Sequence, residues 1–318
     1  MRRFTVPCLF FVVAVACANC CDQNQKNSVL EEPQGGNVSN KLHLKTQPPV
    51  STLLMPYRVV VNRLGSHQLK GHATLVSRAW EAPTEKVEID LETRVDAQGQ
   101  YEVVKNTSEQ YGQEVKWTGG WIYPRLRFSK FLKRKPEEGE PLESLERLVD
   151  LLPAYGRLLK RFVVLDLVGR EKLENRKVVK VNIGLAADVV APDQFEDPAE
   201  KWRRNVVVKE MQGHVYFDEE TGVPLAAKLK ALWNFVPPKG DTDGTGIPKE
   251  MDVDRTGNME LDFWQRVSRI GKVGTIQPPP PEQVLEDPKR IRLEIERQLI
   301  LGEQPIPKGW KRVMGILQ

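Results

Sequence analysis

The stretch Glu85-Lys86-Val87-Glu88-Ile89-Asp90-Leu91-Glu92 alternates charged and apolar side chains from Lys86 onward, and this limits the fold more than any other feature of the chain. A period of two puts Val87, Ile89 and Leu91 on one face of an extended strand and the charges on the other. A strand with one wet face belongs in an antiparallel sheet that packs on one side only. Leu69 to Val76 reads as its partner, and Asp96-Ala97-Gln98-Gly99 as the turn into a third strand, Gln100 to Val104. Val115 to Tyr123 continues the meander, with a bulge expected at Gly119-Gly120.

Further along, Phe162 to Val168 and Lys177 to Ile183 are expected as strands, joined by Gly169 to Arg176. Trp202 to Glu210 and Gly213 to Phe217 follow, then the turn Asp218 to Gly222, then Pro224 to Phe235 pairing back. Asn258 to Ile270 is the last clear strand.

Helical spacing interrupts this pattern in three places. Tyr57, Val60, Val61 and Leu64 fit a short helix between Pro56 and Gly65, although Val59-Val60-Val61 equally suits the start of a strand. Leu142, Leu145, Leu148, Val149 and Leu152 form one apolar stripe, and Pro153 restarts a second helix through Tyr155, Leu158 and Leu159. After a polyproline segment, Gln277 to Pro281, Asp287 caps a tail helix carrying Ile291, Ile295 and Leu299 and ending at Gly302. The expected class is α+β and mainly antiparallel β, with the compact domain at residues 51–277 and a Pro-rich segment and helix at 278–318.

The first residues concern location. Arg2-Arg3 precede an apolar run from Phe4 to Ala16 that is shorter than the roughly 20 residues needed to cross a bilayer. That is the anatomy of a secretory signal, residues 1–16. Ala14-Val15-Ala16-Cys17 resembles the lipobox of bacterial lipoproteins, in which a cysteine after small residues is acylated and becomes the first residue. The resemblance implies a lipid anchor on Cys17, with Cys20 and Cys21 as rivals and plain cleavage as the alternative. All four cysteines, including Cys8, lie in or beside this leader, so no internal disulfide holds the exported chain together. Residues 17–50 are rich in Asn, Gln, Ser and Pro and read as a flexible tether. Ala18, rather than an Asp, follows Cys17, which favours the outer membrane, facing the periplasm.

Charge narrows the partners. Forty-seven basic against 43 acidic residues, interspersed, leave a net +4 and no footprint for nucleic acid. The basic run Lys130 to Lys135 reads as a solvated loop flank next to Glu137-Glu138, with anionic lipid headgroups as the other reading. His43, His67, His72 and His214 lack the spaced partners of a zinc site. Asp241 to Asp252 superficially follows a calcium loop, but its flanks read as strands and Pro248 interrupts it, so a solvated hairpin loop is expected. No nucleophile, phosphate-loop or metalloprotease motif is present. The expectation is a protein that is not an enzyme and uses neither cofactor nor metal.

Three stretches together resemble the LolA/LolB-like lipoprotein-carrier superfamily, which includes the LppX-type envelope lipoproteins. Val168 to Val178 is similar to its hairpin with Asn175-Arg176 at the turn. Gly213 to Leu229 is similar to its strand, Asp218-x-x-Thr221-Gly222-x-Pro224 turn and returning strand. Leu261 to Ile276, running on into Gln277-Pro278, is similar to its closing strand and exit. The resemblance implies an incompletely closed antiparallel barrel, a half-barrel lidded by helices such as Leu142 to Leu152, with an apolar cavity for acyl chains. It implies a membrane-anchored lipoprotein whose partner is a lipid or a lipidated protein. The alternative is an envelope scaffold on the same fold with a filled core.

Overall fold

A computed structural model describes residues 50–78, 84–108, 112–187, 206–235 and 257–286. Cys17 and the tether, the Asp241–Asp252 loop and the tail helix from Asp287 lie outside these residues.

The strands are β1 (His67–Arg78), β2 (Glu85–Val95), β3 (Tyr101–Thr107), β4 (Gly112–Thr118), β5 (Trp121–Leu126), β6 (Phe131–Leu132), β7 (Val163–Leu173), β8 (Arg176–Leu185), β9 (Val206–Asp218), β10 (Pro224–Phe235), β11 (Gly257–Ser268) and β12 (Val284–Leu285). Among the described residues three α-helices accompany them, α1 (Tyr57–Leu64), α2 (Glu140–Val149) and α3 (Leu151–Leu159), with 3₁₀ turns at Val50–Leu54 and Pro281–Gln283. Ten strands form one sheet in the order β5-β4-β3-β2-β1-β11-β10-β9-β8-β7. The order ends at β5 and at β7, so the sheet is open and not closed into a barrel. Pairing is antiparallel from β2 through β5 and from β7 through β10. The class is α+β, mainly antiparallel β.

The chain divides into two compact units. One comprises Pro56–His72, Val87–Asp150 and the chain from Gln265. Here Pro56 starts a helix and not a strand: Tyr57, Val60 and Leu64 are buried on one side, and Gly65, with φ 63°, ends the helix by donating to the Val61 carbonyl at 2.9 Å. Val87, Ile89, Leu91 and Val95 are buried on β2, as the alternation requires. The glycines expected to form a bulge form a hairpin instead. Thr118 pairs with Trp121 across Gly119-Gly120, whose φ values of 58° and 75° suit a two-residue turn that matches strand twist.

Helix α2 packs against β3, and Tyr101 donates from its hydroxyl to the Pro141 carbonyl at 2.6 Å. Leu145, Leu148 and Val149 are buried as expected, but Leu142, one turn earlier, is 42% exposed. The chain also stays ordered past Pro281: Val284–Leu285 pairs in parallel with Phe131–Leu132. The basic run is therefore not simply a solvated flank, because Phe131 and Leu132 within it are 1% and 3% exposed.

The other unit comprises Met1–Met55, Ala73–Lys86 and Leu151–Trp264. Helix α3 begins at Leu151, with Pro153 inside its first turn, where no backbone donor is needed. Val163 to Leu173 and Arg176 to Leu185 are far longer strands than the apolar pattern allowed, with only Glu174-Asn175 between them. From Asp166 onward nearly every β7 residue is exposed or half-buried, so nothing selects apolar side chains there and the alternation disappears. Val206 to Asp218 is likewise one strand, not two.

Candidate functional site

Cross-strand ion pairs identify the two faces of the strands in the unit that holds α3. Lys230 pairs with Asp262 at 3.0 Å and Arg78 pairs with Glu260, so even-numbered positions of β10 and β11 face water. Odd-numbered positions then face inward, and Leu225, Ala227, Leu229, Ala231, Trp233, Leu261 and Phe263 are all buried.

The register carries this face across four strands. One row runs Leu167, Val181, Val215, Ala227, and the next runs Leu165, Ile183, Gly213, Leu229. Both rows are wholly apolar. Helix α3 lies against this side, with the Tyr155 ring 5.3 Å from that of Phe263. Gly156 lets the 3₁₀ turn approach, since a Cβ there would come within 2.9 Å of Leu54 Cδ2. Burial pushes the Tyr155 hydroxyl well above the ordinary tyrosine range, so Tyr155 contributes a neutral surface.

Two features distinguish this face. Its middle carries small residues: Gly213, where a Cβ would collide with the Lys228 carbonyl so that β10 backbone fills the space, and the buried inward positions Ala227 and Ala231. At its edge the apolar row continues beyond the cover, where Leu167 is 41% exposed in line with fully buried Val181 and Val215. Neither feature stood out in the sequence. The pairing of Gly213 with Leu229 would have been the signal, had the register been known.

The ends of the hairpins are fixed by charge. Arg176, at the start of β8, donates from Nε and Nη2 to Asp218 Oδ1 and Oδ2, both at 2.8 Å. The Thr221 backbone N–H and hydroxyl donate to Oδ2 at 3.0 and 2.6 Å. Burial alone would raise the Asp218 carboxyl, whose side chain is 1% exposed, but Arg176 and Thr221 more than reverse this and hold it below the usual carboxylate range. The Asn175-Arg176 and Asp218-x-x-Thr221-Gly222 motifs therefore clasp one another.

The histidines do not gather. His72 Nδ1 lies 2.8 Å from Asp90 Oδ1, and His214, half-buried, is lowered by burial and then by Lys180 and Lys228. In the unit that holds α1, His67 is fully buried, with Nδ1 2.7 Å from the Gly65 carbonyl and Nε2 2.6 Å from the Tyr57 hydroxyl. A carbonyl only accepts, so Nδ1 carries the proton and Tyr57 donates to Nε2. Burial lowers His67 and raises Tyr57, keeping both neutral. No group of three or more His, Cys, Asp or Glu residues suited to a metal occurs among the described residues. In the same unit Asp96 Oδ1 accepts from the Gln98 and Gln100 N–H groups, each at 2.9 Å, and Oδ2 from that of Ile276 at 3.0 Å. This bond holds the exit segment against the β2–β3 turn.

No family model and no curated protein matches the chain. Among solved structures, it is similar to LprF from Mycobacterium bovis, at 16% identity over 74% of this chain and 99% of that one, with a TM-score of 0.27. The Mycobacterium tuberculosis lipoprotein LppX aligns at 14% identity over 71% and 98%, TM-score 0.25. A LolA superfamily protein from Nitrosomonas europaea aligns at 8% identity over 74% and 96%, TM-score 0.19. At such identities and scores no residue role passes from them to this chain.

Proposed function

We propose that this chain is a non-enzymatic envelope lipoprotein, anchored through an acylated Cys17, that holds the acyl chain of a lipid or lipidated protein against the inner face of β7 to β10. The anchor would place it on the outer membrane, facing the periplasm. The observation that carries the reading is the continuous apolar face of β7 to β10, lined by small residues at Ala227 and Ala231 and uncovered at its Leu167 edge. Burial of an alkyl chain there draws on the hydrophobic effect alone, at about 0.8 kcal/mol per CH₂. The cover is helix α3 and a 3₁₀ turn, which are not rungs of the sheet and can shift without breaking its ladder.

A scaffold with a filled core is the second reading, favoured by Phe263 and Trp233, both fully buried on the inner face. Native mass spectrometry of the full chain purified from membranes separates the two. The carrier reading expects one co-purifying lipid, lost in Ala227→Leu while far-ultraviolet circular dichroism is unchanged. A ligand-free parent, or a lipid retained unchanged in Ala227→Leu, overturns it. For the anchor, palmitate label that persists in Cys17→Ser refutes the assignment to Cys17.

A further inference from the structure

We infer that the turn joining β5 to β6 is a second membrane contact, which docks on anionic phospholipid headgroups independently of the lipid anchor. Phe128 is the most exposed large apolar residue described, at 81%, and its backbone has φ 67°. That left-handed conformation is strained for a bulky side chain, and such strain persists where a local function maintains it. The turn enforces it: the Ser129 N–H donates to the Leu126 carbonyl at 3.0 Å, and the Leu126 N–H donates to Ser129 Oγ at 3.1 Å. The effect is to hold an aromatic ring out in solvent.

Two cations flank the ring in the turn: Arg127 lies over it at 4.9 Å, and Lys130 follows two residues on. At the other end of β5, Lys135 and Lys133 lie over Trp121 at 4.1 and 4.9 Å. Three of the neighbouring cations are already matched, Arg125 by Glu114, Lys133 by Glu286 and Arg134 by Glu140. Arg127, Lys130 and Lys135 have no ion pair among the described residues. Glu137 and Glu138 follow the run in the turn that opens α2. An exposed aromatic between Arg127 and Lys130, neither in an ion pair among the described residues, is complementary to a surface that is anionic outside and apolar a few ångströms in. Phe131 and Leu132, buried as β6 directly after Lys130, fix the chain at the end of this turn.

The docking does not depend on the acyl ligand proposed above, so a ligand-free result in mass spectrometry leaves it standing. The test is sedimentation of the full chain with phosphatidylcholine vesicles, with and without phosphatidylglycerol. The parent is compared with Arg127→Gln/Lys130→Gln/Lys135→Gln and with Phe128→Gly, all carrying the same leader so that its contribution cancels. The triple variant is expected to lose on the order of a hundredfold in partition to anionic vesicles and almost nothing on neutral ones. Phe128→Gly is expected to bind both vesicle types about tenfold less well while its melting temperature rises, because glycine relieves the backbone strain. Equal partition of parent and triple variant overturns the inference, as does displacement of the parent by inorganic phosphate, or a Phe128→Gly variant that is destabilised and binds normally.

Discussion

Replacing Arg176 by alanine tests whether the clasp between the two hairpin turns holds this part of the sheet. Asp218 is 1% exposed and receives four donors, two from Arg176 and two from Thr221. Both Thr221 donors go to Oδ2, so Arg176→Ala strips Oδ1 of its partner and leaves a buried, half-solvated carboxylate. Uncompensated buried charge costs about 3–5 kcal/mol, and the two surviving bonds place this case near 3 kcal/mol. Asp218→Asn is expected to cost less, about 1–2 kcal/mol, because Arg176 is 27% exposed and already lies 3.2 Å from Glu220. The two variants are thus unequal for a physical reason. Asp218 is depressed in the folded state, so its contribution is present above the ordinary carboxylate pKa and is lost as pH falls through the folded value. Urea unfolding followed by tryptophan fluorescence should then show a gap between parent and Arg176→Ala that is widest near neutrality and narrows below about pH 4. A gap independent of pH, or Asp218→Asn costing as much as Arg176→Ala, would refute the account.

Gly213→Ala should lose at least about 3 kcal/mol in the same assay, because a Cβ there collides with the Lys228 carbonyl and sits 3.0 Å from Leu229 Cα, both backbone. Gly184→Ala, whose Cβ meets only Val164 Cγ1 at 3.3 Å, should be near neutral, and equal costs for the two would sink the argument. Tyr57→Phe should cost about 1–3 kcal/mol by leaving His67 Nε2 buried without a donor. His67 is lowered in the fold, so below about pH 6.5 the unfolded chain takes a proton that the folded chain refuses, and stability declines with falling pH from there. Histidine ring signals in NMR should show His67 titrating below the ordinary histidine range; a ring that titrates within or above it would show the Gly65 and Tyr57 bonds to be misassigned.

What was legible in the sequence follows what burial selects. Val87, Ile89 and Leu91 announced β2 because one face is buried and the other wet, and Gly65 announced the end of α1 because its backbone angle suits few other residues. The outer half of β7 was illegible for the converse reason: with Asp166 to Leu173 exposed or half-buried, no alternation was selected, and the strand shows only through its register with β8. Gly119-Gly120 signalled a departure from regular pairing, yet a bulge and a turn call for the same residues, and only the Thr118 to Trp121 pairing separates them. The site was less legible than the fold. An apolar row such as Leu167, Val181, Val215, Ala227 takes one residue from each of four strands, and sequence spacing carries no trace of it.

The clasp and the apolar face make different demands on the same strands. Register must be held tightly where β8, β9 and β10 meet at their turns, because a slip of one residue would rotate Val181, Val215 and Ala227 out to water and bring Lys180, Tyr216 and Lys228 in. The Arg176–Asp218 pair sits at that end, reinforced by the Glu219 N–H donating to the Lys177 carbonyl at 3.0 Å. Elsewhere the face meets α3 through side-chain packing, as of Tyr155 on Phe263, and α3 packs in turn on the 3₁₀ turn where Leu54 lies beside Gly156. Contacts of that kind reform after a shift of an ångström or two, whereas a ladder of backbone hydrogen bonds does not. A face that admits an alkyl chain, as proposed above, needs this asymmetry, with polar bonds fixing the register at the turns and non-directional packing over Ala227 and Ala231.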